Sequence, residues 1–385
     1  MPHRDAMREG ERIMLICNAC RYCEGYCAVF PAMEKRLNFT DGDLNYLANL
    51  CHDCGECLYS CQYAPPHEFG VNVPRTLAQI RLRSYEEYSW PGRFSQMFKR
   101  QSVLMSLGLS AALTVLMLGI VPVLGGEGLA EPRRDANFYR VLPHHAMVGL
   151  FGIVFGFVSM ALAIGLGRFW RDSKESRSAL AEPFAVGEAL RDVLTLKYLR
   201  GSGADCTYSG QEVRSPWRRW FHHFTSYGFL LCFAATSVAA IYHVGFGWKA
   251  PYGYASLPVV LGTAGGIGLV IGPTGLLWLR RTRDPEIADP AHHALDPSFI
   301  VLLLLTSVTG LLLLVFRETP AMASLLIVHL GVVLALFVTL PYGKFVHGVY
   351  RSAALIKYAL ECRRAATGLS TQSMQRDAKH AENSY

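Results

Sequence analysis

Two stretches decide how this chain folds: CNACRYCEGYC at residues 17–27 and CHDCGECLYSC at residues 51–61. Both spell C-x2-C-x2-C-x3-C, and together they use eight of the eleven cysteines: Cys17, Cys20, Cys23, Cys27, Cys51, Cys54, Cys57 and Cys61. Three closely spaced thiolates wrap one face of an iron-sulfur cube, so each stretch reads as the seat of a [4Fe-4S] centre. Zinc would use two C-x2-C pairs and leave the third cysteine of each triplet without a role. Disulfides belong to oxidising compartments, whereas eight thiols this close together suit a reducing one.

In two-cluster ferredoxins the fourth cysteine of such a run ligates the other cluster. That pattern assigns Cys17, Cys20, Cys23 and Cys61 to one centre, and Cys51, Cys54, Cys57 and Cys27 to the other. Between the motifs, Thr40 and Asp43 form a capping-box signature, and Leu44, Leu47 and Leu50 then recur at roughly helical spacing up to Cys51. Strand-type alternation is missing here. The segment therefore resembles the helical two-cluster ferredoxin of succinate dehydrogenase and heterodisulfide reductase more than the small β-sheet ferredoxin. It departs from the ferredoxin pattern in its prolines: Pro31 and Pro65 fall four residues after the fourth cysteines instead of directly after them.

Composition changes sharply near residue 100. Beyond it, six apolar runs are long enough to cross a hydrocarbon core of about 30 Å. They are Val103–Leu124, His145–Leu166, Phe221–His243, Ser256–Leu279, Phe299–Phe316 and Ala323–Val346. The fourth carries Gly262, Gly265, Gly266, Gly268, Gly272 and Pro273, small residues that let helices approach closely in lipid, so it is expected to be a buried central helix. No signal peptide precedes the first run, which is expected to act as an uncleaved anchor. The expected architecture is all-α in three parts. Residues 1–100 form a cytoplasmic ferredoxin-like domain, 101–350 a six-helix membrane domain, and 351–385 a cytoplasmic tail, polar and disordered from Gly368.

Lysine and arginine in the flanks set orientation. Arg93, Lys99 and Arg100 precede span 1, and Arg168, Arg171 and Lys174 follow span 2. Arg280, Arg281 and Arg283 follow span 4, and Lys344, Arg351 and Lys357 close span 6. All four positions lie on one side, which puts both termini and the clusters in the cytoplasm and the protein in the inner membrane. The net charge of +7 is then a topology signal and not a nucleic-acid footprint.

Histidines inside or at the edges of spans are functional-site candidates. His329 and His347 are eighteen residues apart in the last run, about five turns, so a continuous helix sets both on one face about 27 Å apart. Two ligands near opposite membrane surfaces suggest two b-type haems, each needing a second imidazole. Span 3 runs antiparallel to span 6 and supplies His222 level with His347, and His243 level with His329. His222 lies about 60° from the face of His243, whereas His223 lies about 160° away. His144 or His145 is an alternative to His243, and interfacial histidines bonded to headgroups are the competing reading. His292 and His293 sit in a charged loop and are read as solvated. Cys206, Cys232 and Cys362 fall outside any metal spacing and are read as ordinary buried or surface thiols. Trp217, Arg218, Arg219 and Trp220 read as a membrane-interface cluster.

The doubled cysteine motif followed by six spans resembles the tricarballylate, or citrate, utilisation protein B family over nearly the whole chain. The resemblance implies cluster ligation by the eight motif cysteines. It also implies reoxidation of the reduced flavin of an FAD-dependent tricarballylate dehydrogenase, with electrons passed on to quinone. The spacing of His329 and His347 is also similar to that in the last helix of the diheme γ subunit of respiratory nitrate reductase. No catalytic triad, dinucleotide fingerprint or phosphate loop is present, so the chain is expected to have no organic-substrate site of its own. The expected function is membrane electron transport through iron-sulfur clusters and haem. Two alternatives stand beside it: a haem-free subunit whose cluster reduces quinone directly, and a membrane-tethered iron-sulfur redox sensor.

Overall fold

The computed structural model describes residues 3–98, 103–124, 137–200, 206–208, 211–281, 286–287 and 292–382. Lys99, Arg100 and Arg283, used above for orientation, lie outside the described residues, as does most of the loop after span 1. The fold is all-α. Its helices are α1 (His3–Cys20), α2 (Val29–Met33), α3 (Asp41–Leu50), α4 (Glu56–Tyr59), α5 (Val73–Tyr88), α6 (Gly92–Phe98), α7 (Val103–Val123) and α8 (Phe138–Val141). There follow α9 (His144–Asp172), α10 (Pro183–Leu194), α11 (Trp217–Phe246), α12 (Leu257–Arg281), α13 (His292–Val315), α14 (Met322–Thr339) and α15 (Val346–Glu382). Two short strands, β1 (Cys206–Tyr208) and β2 (Gln211–Ser215), pair before α11.

The chain divides into two compact units. The first gathers residues 1–88, 165–214 and 347–385, and the second gathers 89–164 and 215–346. The expected boundary at residue 100 therefore moves to Tyr88. Residues 351–385 are not a separate tail either: α15 belongs to the first unit, and its backbone stays helical to Glu382 where disorder was expected from Gly368.

In the first unit the capping box is formed as expected. The Thr40 hydroxyl accepts from the amide of Asp43, and the Asp43 carboxylate accepts from the amide of Thr40 at 3.1 Å. Leu44, Tyr46, Leu47 and Leu50 of the helix it starts are buried, as are Ile13 and Met14 of α1 and Leu77 and Ile80 of α5, the helices it packs on. Buried polar pairs add register: the Asn45 amide donates to the Tyr88 hydroxyl at 2.9 Å, and Asn49 to the Ser84 hydroxyl at 3.0 Å. Such pairs fix one alignment of α3 on α5, because a slip would strand buried polar groups. A charged network holds α15. The Arg36 guanidinium meets Asp43 at 2.7 Å and Glu361 at 2.5 Å, Tyr46 donates to Glu361 at 3.2 Å, and Lys357 donates to the carbonyl of Ser173 at 2.5 Å.

The second unit contains the apolar helices. Six helices are long and apolar enough to cross a membrane: α7, α9, α11, α12, the part of α13 from Pro297, and α14. The expectation about which is central is corrected. In α14, 61% of the most apolar stretch is buried, against 33% in α12. The glycines of α12 serve one flank instead. A methyl on Gly265 would lie 2.8 Å from the Cys232 amide nitrogen and the Gly228 carbonyl oxygen, and one on Gly272 would lie 2.6 Å from the Thr225 amide nitrogen. Small residues thus let the α11 and α12 backbones touch. Cys232, half-buried, is part of that packing.

The sixth expected span is also corrected. The helix stops at Thr339; Leu340–Phe345, containing Pro341, form turns; and α15 begins at Val346. Proline lacks an amide hydrogen and clashes with the preceding turn, which accounts for the break. His347 is therefore not in the same helix as His329, and the five-turn register does not exist.

Candidate iron-sulfur sites

The first motif straddles the end of α1. Cys17 and Cys20 lie in its last turn, and the chain then passes through Arg21 in a left-handed conformation, φ 55°. The second motif does the equivalent after α3. Cys51 is the C-cap, Asp53 (φ 60°) and Gly55 (φ 85°) are left-handed, and α4 then presents Cys57. A residue with positive φ turns the backbone sharply, so successive sulfurs face inward where a right-handed helix would splay them. Pro31 falls inside α2, and the backbone amides of Val29 and Phe30 at the start of that helix donate to the sulfur of Cys27.

These loops bound two cavities. One, of about 240 Å³, is lined by Cys17, Cys20, Cys23 and Cys61, with Tyr22 and Tyr63 at its wall. The other, of about 20 Å³, is lined by Cys27, Cys51 and Cys54, with Val73, Pro74 and Leu77. Cys57 lines both, so the two sites share a wall. The charge environment sorts the thiols in the same way. Burial pushes Cys17 up to about 12, with Cys23, Cys61 and Cys20 adding repulsion. Burial likewise pushes Cys27 up to about 12, with Cys51 as its thiol neighbour. Cys57 is raised well above the usual thiol value by burial, then by Cys54, Cys51, Cys27 and Cys23 in that order. The first cavity thus has Cys61 beside the first three cysteines of the first motif, and the second has Cys27 beside the first three of the second, with Cys57 also on the first.

The donor set fits the group it is expected to hold. With Cys57 counted to the second cavity, four thiols stand around each, as cubane ligation requires, and burial that penalises bare thiolates is offset once iron binds and the protons leave. Three charged residues absent from the sequence reading stand around these sites. Arg81 of α5, 6% exposed, donates to the carbonyl of Cys51 at 2.5 Å and meets the carboxylate of Asp53 at 3.5 Å. Glu56 is buried and acts on Cys23. Asp53 lies inside the motif and is legible there, but nothing in the sequence marks Arg81, whose role depends on how α5 packs.

The haem-ligand candidates are scattered. His329 is half-buried in α14, where its Nδ1 is 2.9 Å from the Thr309 hydroxyl and its Cε1 edge rests on Gly310. A histidine whose Nδ1 is held in this way has its Nε2 left for a metal. The imidazole paired with it from sequence, His243, stacks instead on His144, ring centroids 3.7 Å apart and planes 20° apart, with the Tyr139 hydroxyl 3.5 Å from its Nδ1. His243 is thereby engaged by His144 and Tyr139. His222 has its Nδ1 3.0 Å from Ser226, and His223 stacks on Tyr227. His222 and His347 belong to different units. Among the described residues His329 meets Thr309, while His243, expected to pair with it, meets His144 and Tyr139. The side chains of His292 and His293, like that of Cys206, lie outside the described residues.

Comparison with known proteins covers both units. Residues 10–87 match a family described as the Citrate utilization protein B Fer4-like domain, and residues 96–368 match Citrate utilization protein B. The chain is 49% identical over 356 residues to the Citrate utilization protein B of Escherichia coli, covering 92% of this chain and 93% of that protein. No solved structure matches.

Proposed function

Because the chain belongs to the citrate utilization protein B family, we propose that it carries electrons from a partner FAD-dependent dehydrogenase, one acting on tricarballylate, to the quinone pool of the inner membrane. The observation that carries this reading is the crossed set of eight thiols around two adjoining cavities, in a chain with six apolar helices. Two [4Fe-4S] clusters there supply one-electron carriers between a two-electron flavin and a two-electron quinone. The protein's own part is positional. The left-handed turns at Arg21, Asp53 and Gly55 aim the sulfurs, and the apolar walls Val73 and Leu77 keep water from them. In this reading the basic flanks hold the clusters on the cytoplasmic side, where a soluble flavoprotein can reach them.

A b-type haem extends the route across the membrane. Its support is the single observation that His329, half-buried in a span, has its Nδ1 held by Thr309. The absence of His347 from that helix, and the stacking of His243 on His144, favour the haem-free form, in which a cluster reduces quinone directly. Protein purified anaerobically in detergent tests both. The expected result is about eight irons and eight sulfides per chain, with quinone reduction driven by the reduced flavoprotein. Loss of quinone reduction while the clusters are intact overturns the acceptor assignment. Sharp reduced b-type bands that disappear in His329→Ala support the haem route, and their absence in the parent protein selects the haem-free one.

A further inference from the structure

Arg81 stands where α3 and α5 meet the second cavity. Val73, Leu77 and Arg81 recur at i, i+4 and i+8, so they share one face of α5. The first two line that cavity. The guanidinium, one turn further on, donates to the carbonyl of Cys51 at 2.5 Å and reaches that of Ala48 at 3.5 Å. Those carbonyls belong to the C-terminal end of α3, whose negative pole points at Cys51. Asp53, 9% exposed, brings a carboxylate to the same place, 3.5 Å from the guanidinium. A cation and an anion, both buried, therefore stand on the site of Cys27, Cys51, Cys54 and Cys57. Glu56 is a second carboxylate on the wall of this cavity, and it also acts on Cys23 of the other site, so it faces both.

We infer that Arg81 and Asp53 set the reduction potential of the group held by Cys27, Cys51, Cys54 and Cys57, acting with opposite sign, and leave that of the other site nearly alone. The inference rests on the reading of both sites as iron-sulfur centres. Adding an electron makes the thiolate-ligated group more negative. A fixed cation in a low-dielectric surrounding favours that step, and a fixed anion opposes it. Arg81 also neutralises the helix end that would otherwise oppose reduction.

The test is a potentiometric titration followed by electron paramagnetic resonance, on the full-length protein purified anaerobically in detergent. Cys54→Ser and Cys20→Ser first identify which signal belongs to which site. Arg81→Gln should move the midpoint of the Cys54 signal to more negative potential, and Asp53→Asn should move the same midpoint to more positive potential. Arg81→Lys should restore most of the parent value, and the Cys20 signal should hold still throughout. Shifts of the same sign in Arg81→Gln and Asp53→Asn indicate general disturbance of the loop and overturn the inference, as do unmoved midpoints or equal shifts at both sites. If Arg81→Gln fails to retain the cluster, Asp53→Asn decides: a positive shift supports the inference and an unmoved midpoint overturns it. A parent protein without two cluster signals overturns the underlying reading instead.

Discussion

At the scale of single residues, the crossed ligand set makes a prediction that an uncrossed one does not. Cys61→Ser should abolish the same resonance signal as Cys17→Ser, although the two residues lie in different motifs, and Cys27→Ser should abolish the same signal as Cys54→Ser. Pairing of losses within each motif would contradict the geometry. A second prediction concerns Thr40, whose hydroxyl caps α3 directly ahead of Cys51. Thr40→Ala should lower stability by about 1 kcal/mol, read from chemical denaturation of the cluster-loaded protein, and Thr40→Ser should recover most of it. The candidate ligands were legible because thiol chemistry dictates their spacing. Arg81 was not, because an arginine in a helix reads as surface until packing buries it, and here α5 turns it onto the carbonyl of Cys51.

Among elements, the N-terminal helices were legible in outline. Thr40 and Asp43 announced the start of α3, and the leucines after them face the core. The end of the last span was not. Hydropathy continues through Leu340 and beyond, whereas Pro341 stops the helix after Thr339, so a histidine pattern that looked continuous is divided between α14 and α15. The role of the α12 glycines was half legible. Close packing was expected, but the partner is α11 on one flank, and the more buried helix is α14. Gly272→Val should therefore lower the thermal stability of the detergent-solubilised protein sharply, because even a methyl there meets the α11 backbone at 2.6 Å. Gly149→Val should be nearly silent, since space is open around that position. Equal behaviour of the two variants would contradict the packing described.

For the whole molecule, the sequence suggested a soluble domain followed by a membrane domain and a tail, whereas the chain returns to its first unit twice after leaving it. Arg36 with Glu361 ties α15 to the N-terminal helices, and Lys357 with the Ser173 carbonyl ties it to residues 165–214, contacts across 325 and 184 positions that no local pattern announces. Truncation before Val346 should accordingly cost cluster content as well as solubility, because it leaves Arg36 without its Glu361 partner at a largely buried site. Iron analysis checks this, and a truncated protein with full iron would contradict it. The central claim is electron passage from two cysteine-held clusters to quinone. Its most direct test is electron paramagnetic resonance of the anaerobically purified protein, reduced with dithionite and freed of excess reductant, before and after addition of a soluble quinone. The prediction is two cluster signals, both lost when quinone is added. Contradiction would take the form of a protein holding less than one cluster's worth of iron, about four atoms per chain, or of signals that persist unchanged in the presence of quinone.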